Sequence, residues 1–421
     1  MTRLHARGFP EDAVRTRARR GPAASFPDTD GYGTALFGAA DSRPDALDEL
    51  RIVPPVFMPR RMDKLLDLGR EPLYTDVGLG TDLGGFAAPA PVFLSAFGST
   101  SVSSSGLGLA AARQAGRLGI PMVVGENIVP MSGYRPGDSP ARSLLARLTA
   151  YSDDLPDGLG GVVVQQSTED AEAEVWNLVY TDPAARRLLE SGRLGFELKV
   201  GQGAKPGLGG MTVIDRAAAG GLAARYELDE AALGADASRV LRSGSPGTVT
   251  EEVLFHQVRL MRNNYPRART WVKLHPGRDV AAVTAVAWRA GADAVTVDGA
   301  EGGTGWAPLS FLDHVGLPLR ECLRRIGRPA SCLLVTGRMW EGSRAVKSLA
   351  LGARAVGLGR AALLATDEDP EAGLVRLVEC LAMELRMLVS ALGKYEVSEL
   401  GPEDVWDPVA AAREPQPAAC P

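Results

Sequence analysis

Eight short β-rich runs, each followed by a helix-like segment, constrain the fold of this chain more than any other feature. The runs are rich in apolar and β-branched residues, and Ala- and Leu-rich segments of helical periodicity separate them. Eight β/α repeats predict an α/β fold, a (β/α)8 TIM barrel with an N-terminal extension, whose active site lies at the carboxyl-terminal ends of the strands. The predicted strands are 91–96, 121–125, 161–166, 195–200, 270–275, 293–298, 331–336 and 354–358.

The length and composition suit this architecture. A chain of 421 residues with 45% hydrophobic content can bury a large core. Residues 1–50 are rich in Arg, Pro, Gly and Asp and show weak periodicity. We predict an N-terminal arm or cap over residues 1–74, the barrel over 75–400 and a C-terminal tail over 401–421.

Charge and targeting signals argue against several classes of protein. The net charge of −5, the 6% aromatic content and the lack of a basic block indicate that nucleic acid is not a partner. The N-terminus has no apolar signal core, and no stretch of about 18 uncharged apolar residues occurs, so we expect a cytoplasmic protein without a membrane partner. The four cysteines lack CxxC spacing, which predicts no metal site and no disulfide framework.

Two consecutive strand-to-helix turns indicate an anion site. The segments "LLVTGRMWEG" (333–342) and "AVGLGRAAL" (355–363) place glycine where a strand gives way to a helix, so that backbone N–H groups can face an anion. Loops after strands seven and eight are the usual phosphate site of such barrels. A turn that needs glycine only for its geometry is the plainer interpretation of either loop alone. Their succession favours a phosphate.

The segment "VTVDGAEGGTGWAP" (295–308) follows the sixth predicted strand. Three glycines in four positions, Gly302, Gly303 and Gly305, with Thr304 among them, suit a flat ligand that backbone approaches closely. A tight turn is the alternative. A planar, phosphorylated cofactor fits both this segment and the two anion turns.

Lys273 and His275 end the fifth predicted strand and point to the same side of it. An ammonium fixed at a barrel mouth can hold the negative charge that develops on a reduced flavin near N1. The alternative is a lysine paired with a neighbouring carboxylate. His275 can transfer protons there, or it can cap a turn before Pro276.

Three segments resemble the FMN-binding domain of the glutamate synthase family, especially its stand-alone members. The resemblance covers roughly residues 75–400 and includes the C-terminal helix "ECLAMELRMLVSALG". It implies an FMN-bearing (β/α)8 barrel with redox chemistry at a carbon–nitrogen bond. The segments are "FELKVGQGAKPGLGG" (196–210), "VDGAEGGTGWAPLSFLDHVGLPLRE" (297–321) and "GLGRAALLA" (357–365).

The resemblance also implies site residues. The resemblance makes Lys199 and Glu126 expected catalytic residues, and His275 joins them because of its position on the fifth strand beside Lys273. Lys199 can clamp a carboxylate, and a carboxylate such as Glu126 can exchange protons. Gln202 and Lys205 are expected to bind substrate, whereas solvation of a loop is the alternative for Lys205 and Glu126. The positions expected to bind FMN are Ser95, Ala96, Gln165, Lys273, Gly302, Gly303, Thr304, Gly337, Arg338, Gly357, Gly359 and Arg360.

The departures from the family pattern predict altered chemistry. Family members with synthase activity place a cysteine run after the "GxGxAAL" segment, but "ATDEDPEAGLV" (365–375) contains no cysteine, so we expect no iron–sulfur cluster. The family's "LPG" is replaced by "MTVID" (211–215), and its paired histidines by "SPGTVT" (245–250). We also expect no glutamine hydrolysis within this chain, because no glutaminase-like domain is present.

We therefore expect an FMN-dependent oxidoreductase that acts on the C–N bond of an amino, imino or keto acid in specialised metabolism. O2 or a separate reductase would close its cycle. Three alternatives stay open: an FMN-dependent 2-hydroxy-acid oxidase, a flavin-dependent isomerase, and a flavin-carrying subunit that needs a partner. The oxidase family places His and Arg after strand six, where this chain has Ala300 and Glu301. Reaction direction and the formation of a homo-oligomer also stay open.

Overall fold

The computed structural model describes residues 4–25, 45–97, 106–125, 144–166, 174–200, 212–216, 220, 227–229, 239–243, 247–303 and 314–408. Its strands are β1 (Arg51–Ile52), β2 (Thr81–Asp82), β3 (Ala87–Ala88), β4 (Val92–Phe97), β5 (Met122–Val124), β6 (Val162–Gln166), β7 (Leu194–Lys199), β8 (Thr212–Asp215), β9 (Glu227–Asp229), β10 (Arg239–Ser243), β11 (Arg269–Leu274), β12 (Ala294–Asp298), β13 (Cys332–Thr336), β14 (Ala355–Leu358) and β15 (Val405–Trp406). Its α-helices are α1 (Glu11–Arg20), α2 (Pro59–Leu68), α3 (Leu107–Leu118), α4 (Leu144–Asp153), α5 (Val175–Thr181), α6 (Arg186–Glu190), α7 (Glu251–Asn264), α8 (Val280–Arg289), α9 (Leu319–Ile326), α10 (Gly342–Ala350), α11 (Arg360–Glu368) and α12 (Gly373–Ala391).

Eight strands close into a parallel barrel in the order β4, β5, β6, β7, β11, β12, β13, β14 and back to β4. The predicted barrel is confirmed, and each of the eight predicted strands is observed within about two residues of its expected ends. Runs such as "VVVQQ" and "AVTVD" form strands because β-branched side chains pack well on a pleated surface. Helices between the strands form the outer layer.

The interior of the barrel is apolar at its amino-terminal end. Side chains alternate along a strand, so the residues two positions after each inward-facing apolar residue also face the interior. They lie nearer the carboxyl-terminal mouth of the barrel. A short hairpin, β2 and β3, closes the amino-terminal end, where the Phe86 and Trp271 rings lie 5.6 Å apart. The inner apolar cluster consists of Leu83, Phe86, Ala88, Phe93, Val123, Val163, Trp271, Ala294, Leu334 and Ala355.

A three-stranded antiparallel sheet of β8, β10 and β9 is inserted between β7 and α7. No strand was predicted here, and the sequence indicated only that "MTVID" (211–215) and "SPGTVT" (245–250) depart from the family pattern. The pairing of β8 with β10 joins residues far apart in sequence, such as Val213 and Leu241, so periodicity within either short run carries little signal.

The N-terminal segment packs on the barrel through buried ion pairs. Arg15 of α1 is 2% exposed and contacts Asp367 at 2.9 Å and Glu368 at 3.2 Å. Arg344 of α10 is fully buried and pairs with Asp45 and Asp48. Strand β1 pairs with β15, so the described parts of both terminal regions contact each other. The domain boundaries at 74 and 400 stay predictions. Among the described helices, none is long and apolar enough to cross a membrane.

Candidate functional site

Charged and polar side chains line the carboxyl-terminal part of the barrel interior. Lys273 of β11 forms an ion pair with Asp298 of β12, with 3.2 Å between Nζ and Oδ2. Thr336 of β13 donates its hydroxyl to the other carboxylate oxygen of Asp298. The lysine and the aspartate are both nearly buried, so each compensates the charge of the other. The alternative interpretation of Lys273 from the sequence was a lysine paired with a neighbouring carboxylate, and Asp298 is that carboxylate.

A second cluster of buried polar side chains centres on Glu197 of β7. This residue was not among the predicted site residues. Glu197 Oε2 accepts a hydrogen bond from Gln165 Nε2 of β6 at 2.5 Å, and Oε1 accepts one from Thr296 Oγ1 of β12 at 3.0 Å. Strand β11 separates β7 from β12, so the side chains of Glu197 and Thr296 can reach each other only across the barrel interior. Burial raises the pKa of the Glu197 carboxyl, and the charge of Lys273 opposes that rise. The sequence signal that could have identified Glu197 is a glutamate inside the apolar run "GFELK". It stands two positions before Lys199 and therefore on the same side of the strand.

His275 directly follows β11 and begins a turn, because its carbonyl accepts a hydrogen bond from the Gly277 N–H at 2.8 Å. Burial lowers the pKa of its imidazole, and the carboxylates of Asp279 and Asp298 oppose that change. The residue therefore occupies the turn that the plainer interpretation assigned to it. Its lowered pKa favours the neutral ring, which can accept a proton at neutral pH.

Lys199 ends β7 at the mouth of the barrel. It lies two residues beyond Glu197, whose side chain is inside the barrel, and alternation puts both on the same side of the strand. Its Cα is the register partner of Lys273 on β11. The structure therefore brings two lysines side by side at the mouth, one of them paired with Asp298.

The turn after β13 carries an unusual backbone conformation at Arg338. Its φ of 55° lies in the left-handed region, which few residues other than glycine adopt and which often marks a functional site. Its Nη1 lies 3.7 Å from Asp45 and 4.0 Å from Asp48, both of which make shorter contacts with Arg344. Within the described residues, Arg338 Nε has no hydrogen-bond partner.

The turn after β14 places a second arginine beside the first. Arg360 begins α11, donates from Nη2 to the Glu301 carbonyl at 2.7 Å, and stacks 4.6 Å from the centre of the Phe9 ring. Burial lowers the pKa of Arg360 to about 10, and the charge of Arg338 adds to that effect. Among the described residues, no carboxylate forms an ion pair with Arg360, so an anion would find an uncompensated positive charge here.

Side chains of other residues pack closely against two of the glycines that were predicted to bind FMN. A Cβ at Gly303 would stand 3.0 Å from Arg360 Cγ, and a Cβ at Gly357 would stand 2.6 Å from both Phe93 and Thr336. Close packing therefore accounts for these glycines, and their predicted contact with a cofactor stays a prediction. Gly359 differs, because no described heavy atom lies within 4 Å of the place where its Cβ would stand.

The remaining predicted residues fall into two groups. Ser95 is buried on β4, where the register shifts between Leu94 and Phe97, and Ala96 packs against the inner apolar cluster. Gly302 and Gly337 lie in the turns after β12 and β13. The residues that lie outside the described ranges are Glu126, Gln202, Lys205 and Thr304.

Comparison with known proteins finds similarity to glutamate synthases. Residues 188–368 match the family model described as a conserved region in glutamate synthase. An archaeal-type glutamate synthase [NADPH] of Dehalococcoides mccartyi is 33% identical over 186 residues, 42% of this chain and 36% of that protein. A glutamate synthase large subunit-like protein of Rhizobium meliloti is 30% identical over 283 residues, 63% of this chain and 59% of that protein. The part of the barrel formed by residues 188–368 is therefore similar to the conserved region of glutamate synthases.

The barrel shares its fold with more distant proteins. An active chimera of (S)-mandelate dehydrogenase is 17% identical, with a TM-score of 0.54 over 95% of this chain and 99% of that one. The chain spans about a third of the length of the first archaeal-type relatives that it matches, 36% for the Dehalococcoides protein. Within the described ranges, no cluster of three or more His, Cys, Asp or Glu residues could hold a metal ion.

The pairing of Lys273 with Asp298 is testable through stability. Asp298→Asn keeps the size of the side chain but leaves the Lys273 ammonium buried beside a neutral amide. We expect a loss of about 3 kcal/mol in the free energy of unfolding, at the low end for a broken buried pair because Glu197 also lies near Lys273. Urea denaturation measures the change. Asp157→Asn, the same change at an exposed position, is the control and should stay within about 0.5 kcal/mol of wild type. Equal effects of the two changes would contradict the pairing.

Proposed function

We propose that this chain is an FMN-dependent oxidoreductase that acts on the C–N bond of an amino or imino acid. The observation that carries this proposal is the arginine pair after β13 and β14, Arg338 and Arg360. Arg338 and the partly buried Arg360 oppose each other's charge. A phosphate between them would stabilise both, with charge-assisted hydrogen bonds that arginine makes well.

Three further features of the described residues fit FMN. No described heavy atom lies within 4 Å of the position that a Cβ of Gly359 would occupy, at the N-terminus of α11. Backbone N–H groups at a helix N-terminus favour a phosphate. Gln165 Oε1 is buried without a described hydrogen-bond partner, as expected where a ligand supplies a donor. Lys273 is placed to offset negative charge on a flavin ring. Bound FMN supplies the hydride acceptor or donor at its N5.

The chain's own residues bind and orient the substrate. Lys199, at the mouth and beside Lys273, binds the carboxylate of an amino or imino acid. His275, whose lowered pKa favours the neutral ring, accepts the proton that leaves the substrate nitrogen. Glu126, Gln202 and Lys205 stay candidates for the substrate side on the sequence resemblance alone.

The redox partner of this proposal is O2 or a separate reductase. The archaeal-type relatives are named as NADPH glutamate synthases, and this chain covers only part of their length. The segment 365–375 has no cysteine, and "MTVID" (211–215) replaces the family's "LPG". We therefore propose a substrate other than that of ordinary glutamate synthesis, an amino, imino or keto acid of specialised metabolism.

Purified protein should carry about one FMN per chain and show no iron–sulfur absorbance. Anaerobic stopped-flow absorbance at the flavin band, with a panel of amino, imino, keto and 2-hydroxy acids and NAD(P)H, then identifies the donor, because the donor bleaches the band. Bleaching by an amino acid supports the proposal. Bleaching by 2-hydroxy acids alone would replace it with the oxidase function, and a folded protein without flavin after reconstitution would contradict the cofactor.

A further inference from the structure

Glu197 has no part in the binding and proton transfer described above, although it lies at the centre of the barrel interior. Its side chain and that of Gln165 are each 1% exposed. A buried carboxylate costs free energy unless its oxygens are hydrogen-bonded, and both oxygens of Glu197 are, to Gln165 and Thr296. Such a group is retained at a cost, which suggests that it holds something in place.

The contact with Glu197 fixes which end of the Gln165 amide faces the mouth. The NH2 group of Gln165 donates to Glu197 Oε2, so this is the end of the amide that meets the carboxyl group. Gln165 Oε1 is then the opposite end, and it has no hydrogen-bond partner among the described residues. Leaving a buried acceptor unmet is costly, so a ligand donor is expected at that oxygen.

Two neighbours hold Glu197 as an acceptor. Thr296 Oγ1 donates to Glu197 Oε1 at 3.0 Å, which restrains rotation of the carboxylate. Burial raises the pKa of the Glu197 carboxyl, and the charge of Lys273 opposes part of that rise. With one oxygen held by Thr296, the other stays available to Gln165.

We propose that Glu197 is a positioning residue that fixes the Gln165 amide with its oxygen toward the barrel mouth, so that the site selects a ligand presenting an N–H donor there. The inference rests on the proposed FMN site. On the oxidised flavin ring, the imide N3–H is the N–H donor, and a Gln165 amide turned the other way would present its own donor to that group.

The test compares FMN with N3-methyl-FMN, which lacks the imide donor, by fluorescence titration of the apoprotein. Wild type should prefer FMN by about 10-fold, the value of one buried hydrogen bond with an unmet partner. Glu197→Gln keeps the volume but can turn its own amide either way, so the preference should fall by about 3-fold. Glu197→Leu removes the acceptor, and Gln165→Leu removes the selecting group, so both should reduce the preference to about 1.

Gln166→Leu is the matched control, since Gln166 is the next residue of β6 and alternation turns it away from Gln165. It should keep the wild-type preference. An unchanged preference in a folded Glu197→Gln variant overturns the inference while FMN binding survives, and so does a wild type that binds both flavins equally. A wild type that binds neither flavin overturns the proposed function itself. A loss of preference in Gln166→Leu would show that selection does not depend on this amide.

Discussion

Gly359→Glu should abolish FMN retention while leaving the barrel folded. The substitution places a carboxylate at the N-terminus of α11, directly before Arg360 in the chain, where we propose that the phosphate binds. The new charge would pair with the arginines and repel the phosphate, so two or more charge-assisted hydrogen bonds to the ligand would be lost. We expect FMN affinity to fall by about 100-fold or more, measured by fluorescence titration.

The surroundings of Gly359 make this variant informative. No described heavy atom lies within 4 Å of the position of its Cβ, and its φ of −107° lies outside the left-handed region that favours glycine. A side chain can therefore enter without displacing a neighbour, and the circular dichroism spectrum and Tm should stay close to wild type. Gly359→Gln, of equal size but uncharged, separates electrostatic from steric exclusion and should lose less affinity. Unchanged FMN affinity in Gly359→Glu would place the phosphate elsewhere.

The strands could be predicted because each depends on local sequence. Runs such as "AVTVD" in β12 combine β-branched residues with alternation, and glycine or charged residues mark their ends. Two successive strand-to-helix turns also carry a local signal, which predicted an anion site in the segments 333–342 and 355–363, whereas the family resemblance supplied Gly359 and Arg360 as individual positions. Pattern and period were enough for the barrel.

Contacts between strands could not be predicted in the same way. Alternation puts Glu197 inside the barrel, but its partners Gln165 and Thr296 depend on the register of three other strand pairs. The packing of Gly303 against Arg360, 57 positions later in the chain, could not be predicted either, and its contact with a ligand stays a prediction. Such contacts require tertiary geometry, which period and composition do not contain.

The register of β7 and β11 also changes how Lys273 should be tested. Lys273→Met alone would leave Asp298 buried without its partner, so a slower reaction could reflect instability. The double variant Lys273→Met/Asp298→Asn removes both charges together. We use it as the comparison for Lys199, whose Cα lies opposite Lys273.

Lys199→Met should lower kcat/KM by about 10- to 150-fold with FMN content intact, because a charge-assisted hydrogen bond of roughly 1.5–3 kcal/mol to the substrate carboxylate disappears. Methionine preserves the packing of the lysine stem, so the effect isolates the charge. Single-turnover reduction at varied substrate concentration should show weaker saturation in this variant. The double variant at Lys273 and Asp298 should instead slow reduction by every donor alike, since the two charges that it removes would act on the flavin and not on the substrate. If Lys199→Met keeps the wild-type saturation and reduction rate, then the end of β7 does not bind the substrate, and the carboxylate must be held by residues of another loop.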